Sequence, residues 1–140
     1  MLDQDLPSPH LRRKIGEVQA FLAANLDRDV DLRAIAQAAS LSPYYFSRQF
    51  TAMVGVPPYR YLIGLRIQRS VELLRETELT ITQICGRVGF NSLSHFTTTF
   101  RRHTGLSPSA YRRRLDWEQS ANRFSTATDP LVHRPKPMNV

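Results

Sequence analysis

Lysine is nearly absent from this chain: of its 19 basic residues only Lys14 and Lys136 are lysines, and the rest are arginines. There is one cysteine, Cys85, so no internal disulfide can form. No apolar run approaches the ~18 residues that a membrane-crossing helix needs. The opening MLDQDLPSPHLRRK has no apolar core for export, and a soluble cytoplasmic protein is expected. Alternating apolar and polar residues, the mark of a strand, are missing throughout. So are a glycine-rich phosphate loop, a strained nucleophile turn and clustered carboxylates. His10, His95, His103 and His133 fall at no metal-ligand spacing. These gaps point away from an enzyme, and no cofactor, metal or membrane partner is expected.

What is present is unevenly spread. Residues 1–32 carry four basic and six acidic side chains, whereas residues 33–115 carry twelve arginines against Glu72, Glu76 and Glu78. The excess of positive charge, +7 over the whole chain, therefore lies in the middle segment. Guanidinium groups suit a polyanion, since their planar fork matches phosphate or the edge of guanine.

That same segment repeats itself. IAQAASLSPYYFSRQFTAMVGVPPYRYL, from Ile35, is echoed by ICGRVGFNSLSHFTTTFRRHTGLSPSAYRRRL, from Ile84. Ile35 pairs with Ile84, Leu41 with Phe90, Phe46 with Phe96, Phe50 with Phe100, Gly55 with Gly105, Pro58 with Pro108 and Tyr61 with Tyr111. The offset is 49 before the turn and 50 after it, which places one extra residue near Leu93. Each copy reads as a helix-turn-helix, a small residue (Ala36, Cys85) letting the second helix cross the first. Ser40 and Gly89 take the turn, and Phe46 and Phe96 anchor the second helix.

Local signals set the elements. An amphipathic helix is expected over residues 10–26, with Leu11, Ile15, Val18, Phe21, Leu22 and Leu26 inward. Asp31 should cap a short helix, and Ser42-Pro43 should start another that stops at Gly55. Pro57 and Pro58 open a long helix to about Glu76, with Tyr59, Ile63, Ile67, Val71 and Leu74 on one side. Thr80 and Gln83 spell a capping box for the next short helix. A helix from about Ser92 to His103 follows, then Ser107-Pro108 begins a last one ending near Trp117. The fold expected is all-α, about seven helices. Residues 1–9 form a flexible start, 10–56 the first helix-turn-helix subdomain, 57–76 a linker helix and 77–117 the second subdomain. Residues 118–140 form a disordered tail.

With the phenylalanines inward, each second helix turns a polar face out. In the first copy that face holds Ser42, Tyr44, Ser47 and Arg48, with Thr51 a further candidate. In the second it holds Ser92, Ser94, His95, Thr97, Thr98 and Arg101, with Arg102 beside it. These side chains reach base edges or phosphates, Arg48 being the natural partner of guanine O6 and N7. The arginine run from Arg112 offers a further phosphate grip or a solvated helix end. Cys85 reads as a small core hydrophobe.

The segment from Ile15 to Leu115, above all VGF, the F-x3-F pair and the TG-x-SP ending, resembles the DNA-binding domain of the AraC/XylS family of bacterial transcription regulators. The resemblance implies two helix-turn-helix units, a linker helix, binding to double-stranded promoter DNA and usually activation through RNA polymerase. A connecting helix of about 19 residues, spanning ~28 Å, would let a monomer place both reading helices in neighbouring major grooves. Base contacts carried over by position fall on Tyr44, Ser47 and Arg48, and on Ser94, His95 and Thr98. Family members often place a longer Gln or Arg on the second reading helix, where this chain has Ser and Thr. The length resembles the short stand-alone (MarA/SoxS-like) type. A C-terminal piece of a larger effector-sensing regulator and a low-specificity architectural DNA-binding protein are the alternatives.

Overall fold

Helix starts in this sequence are written as Ser-Pro, Ser, Asp or Thr-x-x-Gln, except for the helix opened by Pro57-Pro58, which has no side-chain cap. A computed structural model describes residues 6–127, with side chains to residue 124. It contains α1 (Pro9–Ala24), α2 (Leu32–Ala38), α3 (Pro43–Val54), α4 (Pro58–Glu76), α5 (Ile81–Arg87), α6 (Leu93–Thr104) and α7 (Pro108–Ala127), with no strand among the described residues. Ser8, Asp31, Ser42 and Ser92 accept hydrogen bonds from backbone N–H groups of the turns they open. Thr80 and Gln83 exchange both bonds of a capping box. Gly55 and Gly105 end α3 and α6 in the left-handed conformation, at φ 96° and 86°.

The last helix departs from expectation. It passes Trp117 and continues to Ala127. Residues 118–127 contain no proline or glycine to stop it, and Arg114 meets Glu118 at 3.5 Å across the expected end. Of the expected tail, residues 128–140 lie outside the described residues, as do residues 1–5 of the expected flexible start.

Two cores form, one per repeat. The first gathers Ile15, Val18, Leu22, Ala36, Phe46, Phe50 and Leu62. The second gathers Ile63, Ile67, Leu73, Leu74, Ile84, Cys85, Val88, Phe90, Phe96 and Phe100. Each holds a chain of three rings: Phe46, Phe50 and Tyr61 at 5.9 and 5.5 Å, and Phe96, Phe100 and Tyr111 at 5.8 and 5.5 Å. Full burial of one such Phe contributes about 1.5–3 kcal/mol. Leu26 packs against both cores.

Helix α4 closes the first unit and opens the second, so it needs two inward faces rather than one. It gives Leu62 to the first core and Ile63 and Ile67 to the second. Tyr59, expected inward, is 53% exposed as a result. On α1, Phe21 is likewise 50% exposed, while its neighbours Val18 and Leu22 are buried in the first core.

Two arginines brace this frame through backbone carbonyls. Arg66 of α4 donates from Nε to Leu26 O at 2.6 Å and from Nη2 to Arg28 O at 2.9 Å. Arg112 of α7 donates to the carbonyls of Leu79 and Thr77. Each guanidinium pins the loop that leads into the first helix of a helix-turn-helix.

Candidate nucleic-acid interface

The turn between the paired helices is the same in both copies. Leu41 N donates to Ala36 O at 2.9 Å, and Phe90 N donates to Cys85 O at 3.1 Å. Ser40 and Gly89 take positive φ, 60° and 91°. Ala36 and Cys85 are buried beneath the crossing, as are Phe46 and Phe96. The extra residue of the second copy sits at Asn91, near Leu93 as the offset indicates and two positions ahead of α6. Ser42 and Ser92 cap equivalent starts, and α3 and α6 each have 12 residues.

Helices α3 and α6 bury Phe46 with Phe50 and Phe96 with Phe100, which turns the opposite face of each to solvent. On α3, Tyr44 and Arg48 are exposed and Ser47 is half-buried between them. Residues three, four and seven apart share one helix face, so Tyr44, Ser47, Arg48 and Thr51 form one strip. On α6 the equivalent strip is Ser94, Thr97, Thr98 and Arg101, with His95 and Arg102 exposed beside it.

Not every hydroxyl on these strips is free to act. Thr97 Oγ1 donates to Leu93 O at 2.8 Å, and Thr51 Oγ1 donates to Ser47 O at 2.7 Å. Both therefore turn chiefly methyl surface outward. Ser42 and Ser92 accept the N–H of Tyr45 and His95, each at 3.2 Å, which leaves the O–H of each able to donate. The ring of His95 leans edge-on against Phe90, centroids 5.3 Å apart, which restricts its swing.

Arg112 belongs elsewhere. Expected on phosphate, its guanidinium is half-buried and committed to the Thr77 and Leu79 carbonyls. Arg113 and Arg114 of the same run are exposed, and Arg114 is paired with Glu118. The sequence reading passed over Tyr45, which is exposed at the position equivalent to His95. The fifty-residue offset was the signal that would have found it.

Among the described residues no group of His, Cys, Asp and Glu is arranged to hold a metal ion. No helix there is long and apolar enough to cross a membrane. Burial pushes the Cys85 thiol pKa up, and its Sγ lies 3.8 Å from Phe90 O, the situation of a packed rather than a reactive sulfur.

Comparison with known proteins matches this arrangement. A family model described as "Helix-turn-helix domain" covers residues 35–114, both units and the helix between them. The AraC-type transcriptional regulator of Chromobacterium violaceum superposes with a TM-score of 0.69 at 29% identity, over 77% of this chain and 96% of that one. The chain belongs to the AraC/XylS family of helix-turn-helix domains. Another member, the DNA-binding domain of the global transcriptional factor AdpA, was solved in complex with a target DNA. It gives a TM-score of 0.68 at 28% identity, over 85% of this chain and 98% of that one. Among curated members, the HTH-type transcriptional activator RhaS of Escherichia coli O139:H28 (strain E24377A / ETEC) is 38% identical over 97 residues. That match spans 69% of this chain but 35% of RhaS. The chain thus corresponds to about a third of the length of such AraC/XylS relatives.

Proposed function

We propose that this chain is a sequence-specific regulator of transcription that binds promoter DNA with both helix-turn-helix units and activates through contact with RNA polymerase. The observation that carries this reading is the pair of equivalent polar strips on α3 and α6, held by one shared helix in the arginine-rich part of the chain. A helix of 19 residues spans ~28 Å at 1.5 Å per residue. Successive major grooves on one face of DNA recur every ~34 Å, so a monomer can serve two neighbouring grooves. RhaS, named an activator, and AdpA, solved with DNA, support the direction of the proposal.

In this reading Tyr44, Ser47 and Arg48 contact bases in one groove, Arg48 gripping guanine through its fork. Ser94, His95 and Thr98 face the second groove with shorter side chains, and Arg101 and Arg102 grip phosphate there. Ser42 and Ser92 add O–H donors to phosphate at the helix starts. The protein acts in the cytoplasm, carries no catalytic role and needs no cofactor.

Selecting bound sites from a random DNA pool tests this. The expected product is one asymmetric motif covering about two helical turns. A pool with no enriched motif would reduce the chain to an architectural DNA binder. Because the chain spans 35% of RhaS, a second reading has it as the DNA-binding part of a longer effector-sensing regulator. The same motif is expected in that case.

A further inference from the structure

Gly89 lies where the two units touch. A Cβ added there would meet Leu26 O at 2.7 Å, Arg66 Nε at 2.9 Å and Arg66 Cζ at 3.1 Å. Leu26 belongs to the loop of the first unit, Arg66 to the shared helix and Gly89 to the turn of the second unit. Arg66 is 8% exposed and is already tied to Leu26 O and Arg28 O. Its guanidinium is therefore a plate clamped between the loop of one unit and the turn of the other. Desolvation pulls its pKa down, while Tyr59, Asp29 and Asp27 pull the other way and favour the charged form.

The shared helix alone does not hold two heads at a fixed separation. Long helices bend, curving gently around the structure they pack on. A change of roughly 5° over a ~28 Å helix moves its far end by roughly 2.4 Å. That is close to the ~3.4 Å between successive base pairs. A contact bridging the units off the axis of α4 resists both bending and rolling, and the Leu26–Arg66–Gly89 junction is such a contact.

We propose that Arg66 is a positioning residue for DNA recognition. Holding the 26–28 loop against the Gly89 turn, it sets the separation and rotation of α3 relative to α6. The protein then selects the spacing between its two half-sites as well as their sequence. This rests on both reading helices entering DNA as proposed above, although Arg66 itself touches no base or phosphate.

The experiment uses the full 140-residue chain and duplexes in which the two half-sites are moved apart or together by one and two base pairs. Wild type is expected to lose at least about tenfold in affinity at a one-base-pair change, comparable to a mismatch. Arg66→Met, which keeps an unbranched stem and loses the fork, is expected to bring the spacings within about threefold of each other. Its affinity for an isolated half-site should match wild type. Gly89→Asn, which accepts a left-handed backbone but inserts a Cβ, should shift the preferred spacing with Arg66 intact. Ser40→Asn, at the equivalent open turn, should leave it alone.

A DNA-free readout accompanies this. Spin labels at Ala20→Cys and Ser109→Cys in a Cys85→Ala background should give one narrow distance, which Arg66→Met broadens. An Arg66→Met protein that binds every site more weakly but keeps the wild-type spacing preference overturns the proposal, as does an unchanged label distance. A wild type with no two-part motif overturns the DNA reading itself. The labels tell that case apart, since their broadening needs no DNA.

Discussion

Ser40 and Gly89 hold the same place in the two units, yet one carries a side chain and the other has no room for one. Both adopt positive φ, so backbone conformation alone does not demand glycine. Ser40 is exposed, whereas a side-chain carbon on Gly89 would run into Leu26 O and Arg66. The neighbour decides, not the torsion. The reading helices diverge in a similar way. The first copy puts its guanidinium at Arg48, where the second has Thr98, and the second puts it at Arg101, where the first has Thr51. A shift of three residues moves the charge about 4.5 Å along the helix. The two heads are thus one mechanical part fitted with two different tips, which suits an asymmetric site.

The strongest challenge to this pairing is removal of its anchors. Phe50→Ala and Phe100→Ala should each destabilise by about 3–5 kcal/mol in urea titrations, since both rings are fully buried. Because Leu26 and α4 join the cores, each variant should move a single transition. Two separate transitions would show that the units are independent. Next in size, Arg48→Ala should cost about 1–3 kcal/mol at its own half-site and relax selectivity there. Arg101→Ala should instead weaken all sequences alike and reduce the salt slope of binding by about 1. Equal behaviour of the two arginines would erase the distinction between the tips. Gly89→Asn should cost about 1–3 kcal/mol of stability through overpacking. Ser40→Asn should stay within about 0.5 kcal/mol, as for most surface changes. Smallest, Ser42→Ala and Ser92→Ala should each cost about 1 kcal/mol by loss of the cap. Thermal melts that separated those two would mean that the helix starts are less alike than their hydrogen bonds.

The element order was legible because its signals are local. Ser42-Pro43, Thr80 with Gln83, and Gly55 with Gly105 act within one turn of the helix they start or stop. The repeat then tied the units together, and the polar strips followed from the inward phenylalanines. What the sequence concealed depends on partners far along the chain. Nothing near Arg66 announces that its fork will reach Leu26 and Arg28, and Arg112 looks like its neighbours in the RRR run until Thr77 and Leu79 arrive. Tyr59 was misplaced because a helix shared by two cores has no single apolar side. The end of α7 was missed for another reason, since the next helix-breaking proline, Pro130, lies well beyond Trp117.

The sharing of α4 also bears on how the protein is made. A nascent chain that has reached Glu76 holds everything the first unit needs, including Leu62. Once that stretch has left the ribosome, Ile63, Ile67, Leu73 and Leu74 stand bare until α5 and α6 join them. Exposed apolar surface of this kind is where unfinished proteins stick to one another. A chain stalled before residue 100 would leave that flank uncovered. The stretch that completes the second unit is therefore also the one that renders the first safe to release.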